Sequence, residues 1–151
     1  MRLFQYARAC KGAATAELAV CLPFLLVGVV GVVDIGRVAY EALELQSAAY
    51  AGAQYGSFDQ ANARSTSQII ASATTELGAD MAEKTSFAVD RYCLCGESDE
   101  IDCDTQTCPV GQPPAREHVS VQAAATFSTL LGYPGIPSTL ALSRTVDMRV
   151  R

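Results

Sequence analysis

Leu18 to Val33 reads LAVCLPFLLVGVVGVV, sixteen residues without a charge. With Ala13 to Ala16 the apolar stretch reaches twenty-one residues, interrupted only by Thr15 and Glu17. At about 1.5 Å per residue such a helix crosses a hydrocarbon layer about 30 Å thick. A cleaved secretory signal also has a basic start and an apolar middle. Its apolar region is shorter, however, and here Val30-Gly31-Val32-Val33 runs into Asp34 without a small-x-small site and a polar mature start. Residues 13–33 are therefore expected to be a membrane-spanning helix rather than a leader removed at its far end.

The rest of the 151 residues is organised around this segment. Roughly 95 to 115 residues remain for a single small domain, which buries only about two thirds of its surface and gains from cross-links. Half of the chain is apolar and 18% is charged, but the apolar residues are concentrated in the first third. Arg2, Arg8 and Lys11 precede the apolar run with no acidic residue among them, whereas the part after residue 12 carries eight Lys/Arg against sixteen Asp/Glu. This asymmetry keeps the basic leader, residues 1–12, on the cytoplasmic side and sends the acidic body across. A body with net charge near −8 repels phosphate backbones, so nucleic acid is not an expected partner.

Glu17 stands out, because a carboxylate near the start of a membrane helix costs on the order of 2.5–3.5 kcal/mol unless it is neutralised or paired. Cutting the chain between Gly12 and Ala13 would place Glu17 fifth in the new chain, just over one helical turn from a free ammonium. An interfacial glutamate on an uncut span is the plainer alternative.

A short basic leader, Lys11-Gly12, then AATAE and a long apolar helix resembles the processing site of type IV pilins and pseudopilins. Asp34-Ile35-Gly36-Arg37, followed by LQSAAYAGAQYG at 45–56, is similar to the TadE-like family, the small pseudopilins of tight-adherence (Tad) pilus systems. The resemblance implies cleavage by a prepilin peptidase after Gly12, a role in assembly for Glu17, a bacterial inner-membrane location and other pilin subunits as partners. Leu18 departs from the aromatic residue often found there. The resemblance covers most of residues 10 to 56 and, loosely, the last thirty, but not the middle.

Beyond the span, Ile35, Val38, Ala39, Ala42, Leu45, Ala49 and Gly52 recur at spacings of three and four, so residues 34–56 read as the same helix continued into water, outside the cytoplasm. Ala48, Ala49, Ala51, Gly52 and Ala53 allow close backbone approach, either to a neighbouring stem or to the chain's own C-terminal sheet. Tyr40, Tyr50 and Tyr55 read as packing residues. Gly56-Ser57 breaks the run, and residues 57–151 are expected to form a small α+β domain. Asp59 suits the N-cap of a second helix to about Leu77, with Ile69, Ile70, Ala73 and Leu77 as its stripe and Gly78 as its end. From Thr85 the period changes to two, weakly in SFAVDRYCLC and clearly in HVSVQAAATF and LALSRTVDMRV, where Arg144 alone breaks the apolar face. About three antiparallel strands follow, with Gly132 to Pro137 as the last turn and the helices as cover. This layout agrees with the pilin-like fold that the resemblance implies.

Six cysteines are placed unevenly: Cys10 and Cys21 at or in the membrane segment, and Cys93, Cys95, Cys103 and Cys108 in a cysteine-rich loop, residues 93–108. In an exported domain the cluster favours two disulfides, with Cys93 and Cys95 each reaching to Cys103 or Cys108, either pairing being open. The spacing departs from zinc knuckles, so no metal is expected there. Glu97, Asp99, Glu100, Asp102 and Asp104 lack a calcium loop's ligand pattern and read as a solvated acidic loop. His118, the only histidine, sits at a strand start without a nucleophile motif and reads as structural. Asp34 and Arg37 read as a local or intersubunit ion pair. Neither catalysis nor a cofactor is expected. The expected function is that of a minor pilin or pseudopilin in Tad pilus assembly. An uncut, membrane-anchored binding module is the alternative, and a zinc- or thiol-dependent enzyme is a third class.

Overall fold

A computed structural model describes residues 3–96, 99–111, 113–132 and 137–151, with side chains described from Gly12 onward except that of Ala13. Met1, Arg2, the side chains of Arg8, Cys10, Lys11 and Ala13, the acidic Glu97 and residues 133–136 of the last turn lie outside what is described. The fold is α+β: one long N-terminal helix, further short helices and a four-stranded antiparallel sheet.

The apolar run and the stem that follows it form a single helix, α1, Leu3–Gly56. Pro23 lies inside it, within the segment apolar enough to cross a membrane, where neighbouring groups can re-satisfy a freed carbonyl. Past the end of α1, Asp59 caps α2, Gln60–Ala63, its side chain accepting the Asn62 N–H at 2.7 Å. Then come α3, Thr66–Thr74, and α4, Ala79–Lys84. The single second helix expected to Leu77 is thus two short ones, α2 and α3, and α4 follows beyond it. Ala63 and Ile69 are both buried but lie six residues apart, off the helical period, so one straight helix cannot point both inward. Ser65 accommodates the turn by donating its hydroxyl to the Ala61 carbonyl at 3.1 Å. Gly78 is extended and begins α4 as its N-cap, whereas it was expected only to end a helix.

The strands are β1, Ser86–Cys95, β2, Asp99–Ile101, β3, Arg116–Ser128, and β4, Thr139–Arg149, in the order β2-β1-β3-β4 with all neighbours antiparallel. The three strands expected from alternation are β1, β3 and β4. The fourth, β2, falls inside the cysteine loop, paired Cys93 to Ile101 and Cys95 to Asp99. Gly96, at φ 70°, permits the tight reversal between β1 and β2.

One face of the sheet carries Val119, Val121, Ala123, Ala125 and Phe127 of β3, all buried, flanked by Phe87 and Val89 of β1 and by Leu142, Val146 and Met148 of β4. Leu45, Ala48, Ala49 and Ala53 of α1, with Ile69 of α3, cover it. Between the two small-residue alternatives, this face of the stem packs on its own domain. A Cβ on Gly52 would meet the Ala73 Cβ at 3.1 Å and the Ile69 carbonyl at 3.3 Å, and one on Gly56 would meet Val119 Cγ1 at 3.0 Å. Both glycines set the closeness of the helix–sheet approach. Ile35 and Ala39, expected on the same stripe, stay exposed because they lie farther around the helix than Asp34, Val38 and Ala42, which turn toward the sheet.

The dimensions match. From Asp34 to Gly56 the helix rises about 33 Å, and from Val119 to Leu130 an extended chain covers about 36 Å. The two therefore run side by side in opposite directions, touching at Gly56–Val119 and at Asp34–Leu130. Val150 N–H bonds the Glu117 carbonyl at 2.8 Å and Arg151 N–H the Ser57 carbonyl at 3.0 Å, tying the last strand to the top of the stem.

Candidate functional site

The surface with the strongest chemical character is the stem itself. Leu18, Val20, Leu22, Phe24 to Val27, Val29, Val32 and Val33 are exposed on an isolated chain, and this helix is long and apolar enough to span a membrane. Gly12 and Ala13 lie inside α1, with the Thr15 hydroxyl bonded to the Gly12 carbonyl at 2.9 Å. Glu17 is exposed on the same helix. Among the described residues no basic side chain lies within ion-pair distance of it.

Where the apolar run ends, the stem is locked to the sheet. Asp34 is only 5% exposed. Its two carboxylate oxygens accept the Leu130 backbone N–H at 3.2 and 3.1 Å. Arg37, one turn on, pairs with Asp34 at 3.4 Å, reaches toward Glu41 at 3.9 Å and lays its guanidinium over the Phe127 ring at 5.1 Å from the centroid. The expected local ion pair exists, but its main work is a long-range contact across 96 residues. Sequence reasoning missed the Leu130 partner, since a backbone N–H leaves no mark in a side-chain pattern; the isolated charge just past the apolar run was the only signal.

At the opposite end of the domain the sheet's apolar face gives way to charge. Cys93 and Cys95 alternate onto that face and are buried, and they form disulfides Cys93–Cys103 and Cys95–Cys108, which settles the open pairing. The loop is drawn over a part of the sheet that the helices do not cover. Arg91, on the same face, bonds Glu117 at 2.9 Å and also Asp104, which Arg64 approaches at 3.6 Å. Desolvation acts to lower the Arg91 pKa, but the hydrogen bond it donates to Glu117 and the charge of Asp104 outweigh it and the net direction is upward. Asp102 is held below the usual carboxylate range by the Asp104 backbone N–H, which it accepts at 2.8 Å, with further help from Thr105. So Asp102 and Asp104 are engaged in holding the loop's own turn and in ion pairs to Arg91 and Arg64. Nothing in the sequence had marked Arg91.

His118 stacks on Tyr92 with centroids 5.5 Å apart, on the other side of the sheet, and the Tyr92 hydroxyl donates to Asp147 at 3.1 Å. Burial, then the bond to Asp147, raises the Tyr92 pKa. The four clustered cysteines are brought together, while Gly12, Ala13 and Glu17 lie along the far end of α1 and share no site with them.

Residues 12–54 match the family model described as TadE-like protein, the family to which the sequence of that segment pointed. The match covers the span and the stem and stops short of the sheet. It suggests a protein related to the Tad pilus. No match was found among the curated proteins or the solved structures.

Proposed function

We propose that this chain is a minor pilin or pseudopilin that takes part in assembling a Tad adhesion pilus, acting by subunit packing rather than by catalysis. In this reading residues 13–33 cross the inner membrane once, the leader stays in the cytoplasm and is cut after Gly12 by a prepilin peptidase, and the body lies outside. The observation that carries it is the continuity of α1: an apolar, outward-facing span runs without a break into a stem rigidly pinned to its own sheet. Force or position applied to the span is thereby transmitted to the domain, which a flexible tether would not do. The stem's inner face is consumed by its own sheet, so packing against other subunits falls to the span and to the outer face bearing Leu43 and Tyr50.

Glu17, isolated in an apolar run, gains a partner when cleavage creates an ammonium at Ala13, and a correctly docked neighbour supplies or receives that charge pair. Intact-mass measurement of the protein from cells that make the pilus tests the reading: the mature chain is expected to begin at Ala13. A retained Met1 or Arg2 would instead leave an uncut anchor. Glu17→Gln is expected to impair assembly, processing or both; unchanged behaviour in both would remove the proposed role of Glu17.

A further inference from the structure

The end of the sheet nearest the apolar span carries exposed apolar residues that the packing reading does not use. Leu130 is 58% exposed and Leu131 42%, with Leu140 on the adjoining strand and Ile35 of α1, 71% exposed, at the same end. Between helix and sheet they adjoin a groove of about 580 Å³ lined mainly by apolar residues, among them Ile35, Ala39, Phe127 and Leu140, with Asp34 and Arg144 as its charged lining.

We propose that this β3–β4 end is a second membrane contact, seated in the outer leaflet of the bilayer that α1 crosses; the proposal rests on reading residues 13–33 as a span. Height decides the occupant. Asp34 is the first charged residue after the sixteen-residue run from Leu18 to Val33, so it marks where the helix leaves the hydrocarbon. The Leu130 N–H lies 3.1 Å from its carboxylate, which fixes Leu130 and Leu131 at that level. An apolar surface held there meets lipid without needing a protein partner, as the apolar side of an interfacial segment does when it sinks about 5–10 Å into the headgroup–acyl boundary.

Two backbone amides at this end suit such a medium. An unpaired N–H is costly in an apolar layer. At this end Thr129 N–H bonds the Ser138 carbonyl at 3.0 Å and Leu130 N–H is taken by Asp34. Asp34 itself is buried between stem and sheet and paired with Arg37 at 3.4 Å, so little of its carboxylate faces the lipid. The groove continues the exposed surface of the span upward from Gly31, and an acyl chain lying against the span would extend into it.

The chain contains no tryptophan, so a single introduced one reports its own surroundings. Full-length Leu131→Trp and, separately, Leu130→Trp would be reconstituted into phosphatidylethanolamine–phosphatidylglycerol vesicles carrying acyl-brominated phosphatidylcholine. Leu25→Trp in the middle of the span and Val110→Trp, at a fully exposed position just past the cysteine-rich loop, serve as references. The expected result is blue-shifted emission for Leu131→Trp relative to Val110→Trp. Quenching in Leu131→Trp should be strongest with bromines near the headgroup, and in Leu25→Trp with bromines near the acyl end. Quenched Leu25→Trp with unquenched Leu131→Trp and Leu130→Trp overturns the proposal while leaving the span intact. A blue shift in Leu131→Trp without lipid quenching means that protein, not lipid, covers the tip, and overturns it too. If Leu25→Trp is unquenched as well, the span reading falls and takes this one with it.

Discussion

Replacing Asp34 by alanine isolates the lock between stem and sheet. The substitution deletes the acceptor of the Leu130 N–H, whose distances to the two oxygens are 3.2 and 3.1 Å, and leaves a part-buried donor unpaired. Hydrogen bonds to a charged group contribute about 1.5–3 kcal/mol. The Arg37 pair adds only about 0–1 kcal/mol, since that guanidinium is 39% exposed. A total loss of about 2–3 kcal/mol in a folded part of roughly a hundred residues corresponds to a fall in Tm on the order of 10–15 °C. Asp34→Asn keeps one acceptor oxygen and should lose about half as much. Near-ultraviolet circular dichroism in detergent micelles follows the unfolding of the sheet. Hydrogen exchange of the Leu130 amide reads the bond directly and should accelerate in Asp34→Ala. A wild-type Tm together with unchanged Leu130 protection would refute the argument, because the bond would then be holding nothing.

Gly52→Val forces a Cβ to within 3.1 Å of Ala73 and 3.3 Å of Val121, so denaturant unfolding should show a loss of about 1–3 kcal/mol; Gly36→Val, with nothing within 4 Å, should show none of that packing loss. Removing the Cys95–Cys108 bridge as Cys95→Ser/Cys108→Ser opens a loop of separation 13 and should lower stability by about 2–4 kcal/mol, whereas Cys21→Ser, on the exposed span, should leave the unfolding midpoint unchanged. The depressed pKa of Asp102 gives a sign: its contribution is present above the unfolded-state value and is lost as pH falls through the lower folded-state value. Exchange of the Asp104 amide, corrected for its intrinsic rate, should therefore speed up on acidification through and below the carboxylate range, and Asp102→Asn should abolish that pH dependence.

What could be read from the sequence depended on how long each pattern ran. Sixteen uncharged residues mark a helix long and apolar enough to cross a membrane, and HVSVQAAATF and LALSRTVDMRV are long enough for period two to show, so α1, β3 and β4 were legible. Only three residues make up β2, two of them acidic, and no alternation can appear in so short a piece. Its conformation is imposed by pairing with β1 and by the disulfides on either side of it. The broken second helix was hidden for a different reason: Ile69, Ile70, Ala73 and Leu77 do form a helical stripe, but burial of Ala63 requires a turn at Ser65 that local propensity does not announce. At the candidate site, Glu17 was visible because a charge in an apolar run demands explanation. Asp34's engagement with Leu130 was not visible, since it depends on how far β3 extends beside the stem.

The pairing of α1 with β3 also sets a schedule. Residues 45–56, which supply the stem's inner face, are synthesised about sixty residues before β3 begins at Arg116. At roughly 5–20 residues per second the delay is on the order of several seconds. Through that interval Leu45, Ala48, Ala49 and Ala53 have no strand to cover them, although the span that anchors them is already made. Any helix or chaperone that binds this face in the meantime must be displaced before the sheet can close. The order in which the parts of a new chain emerge thus leaves the stem's inner face open for a time that equilibrium affinity does not set.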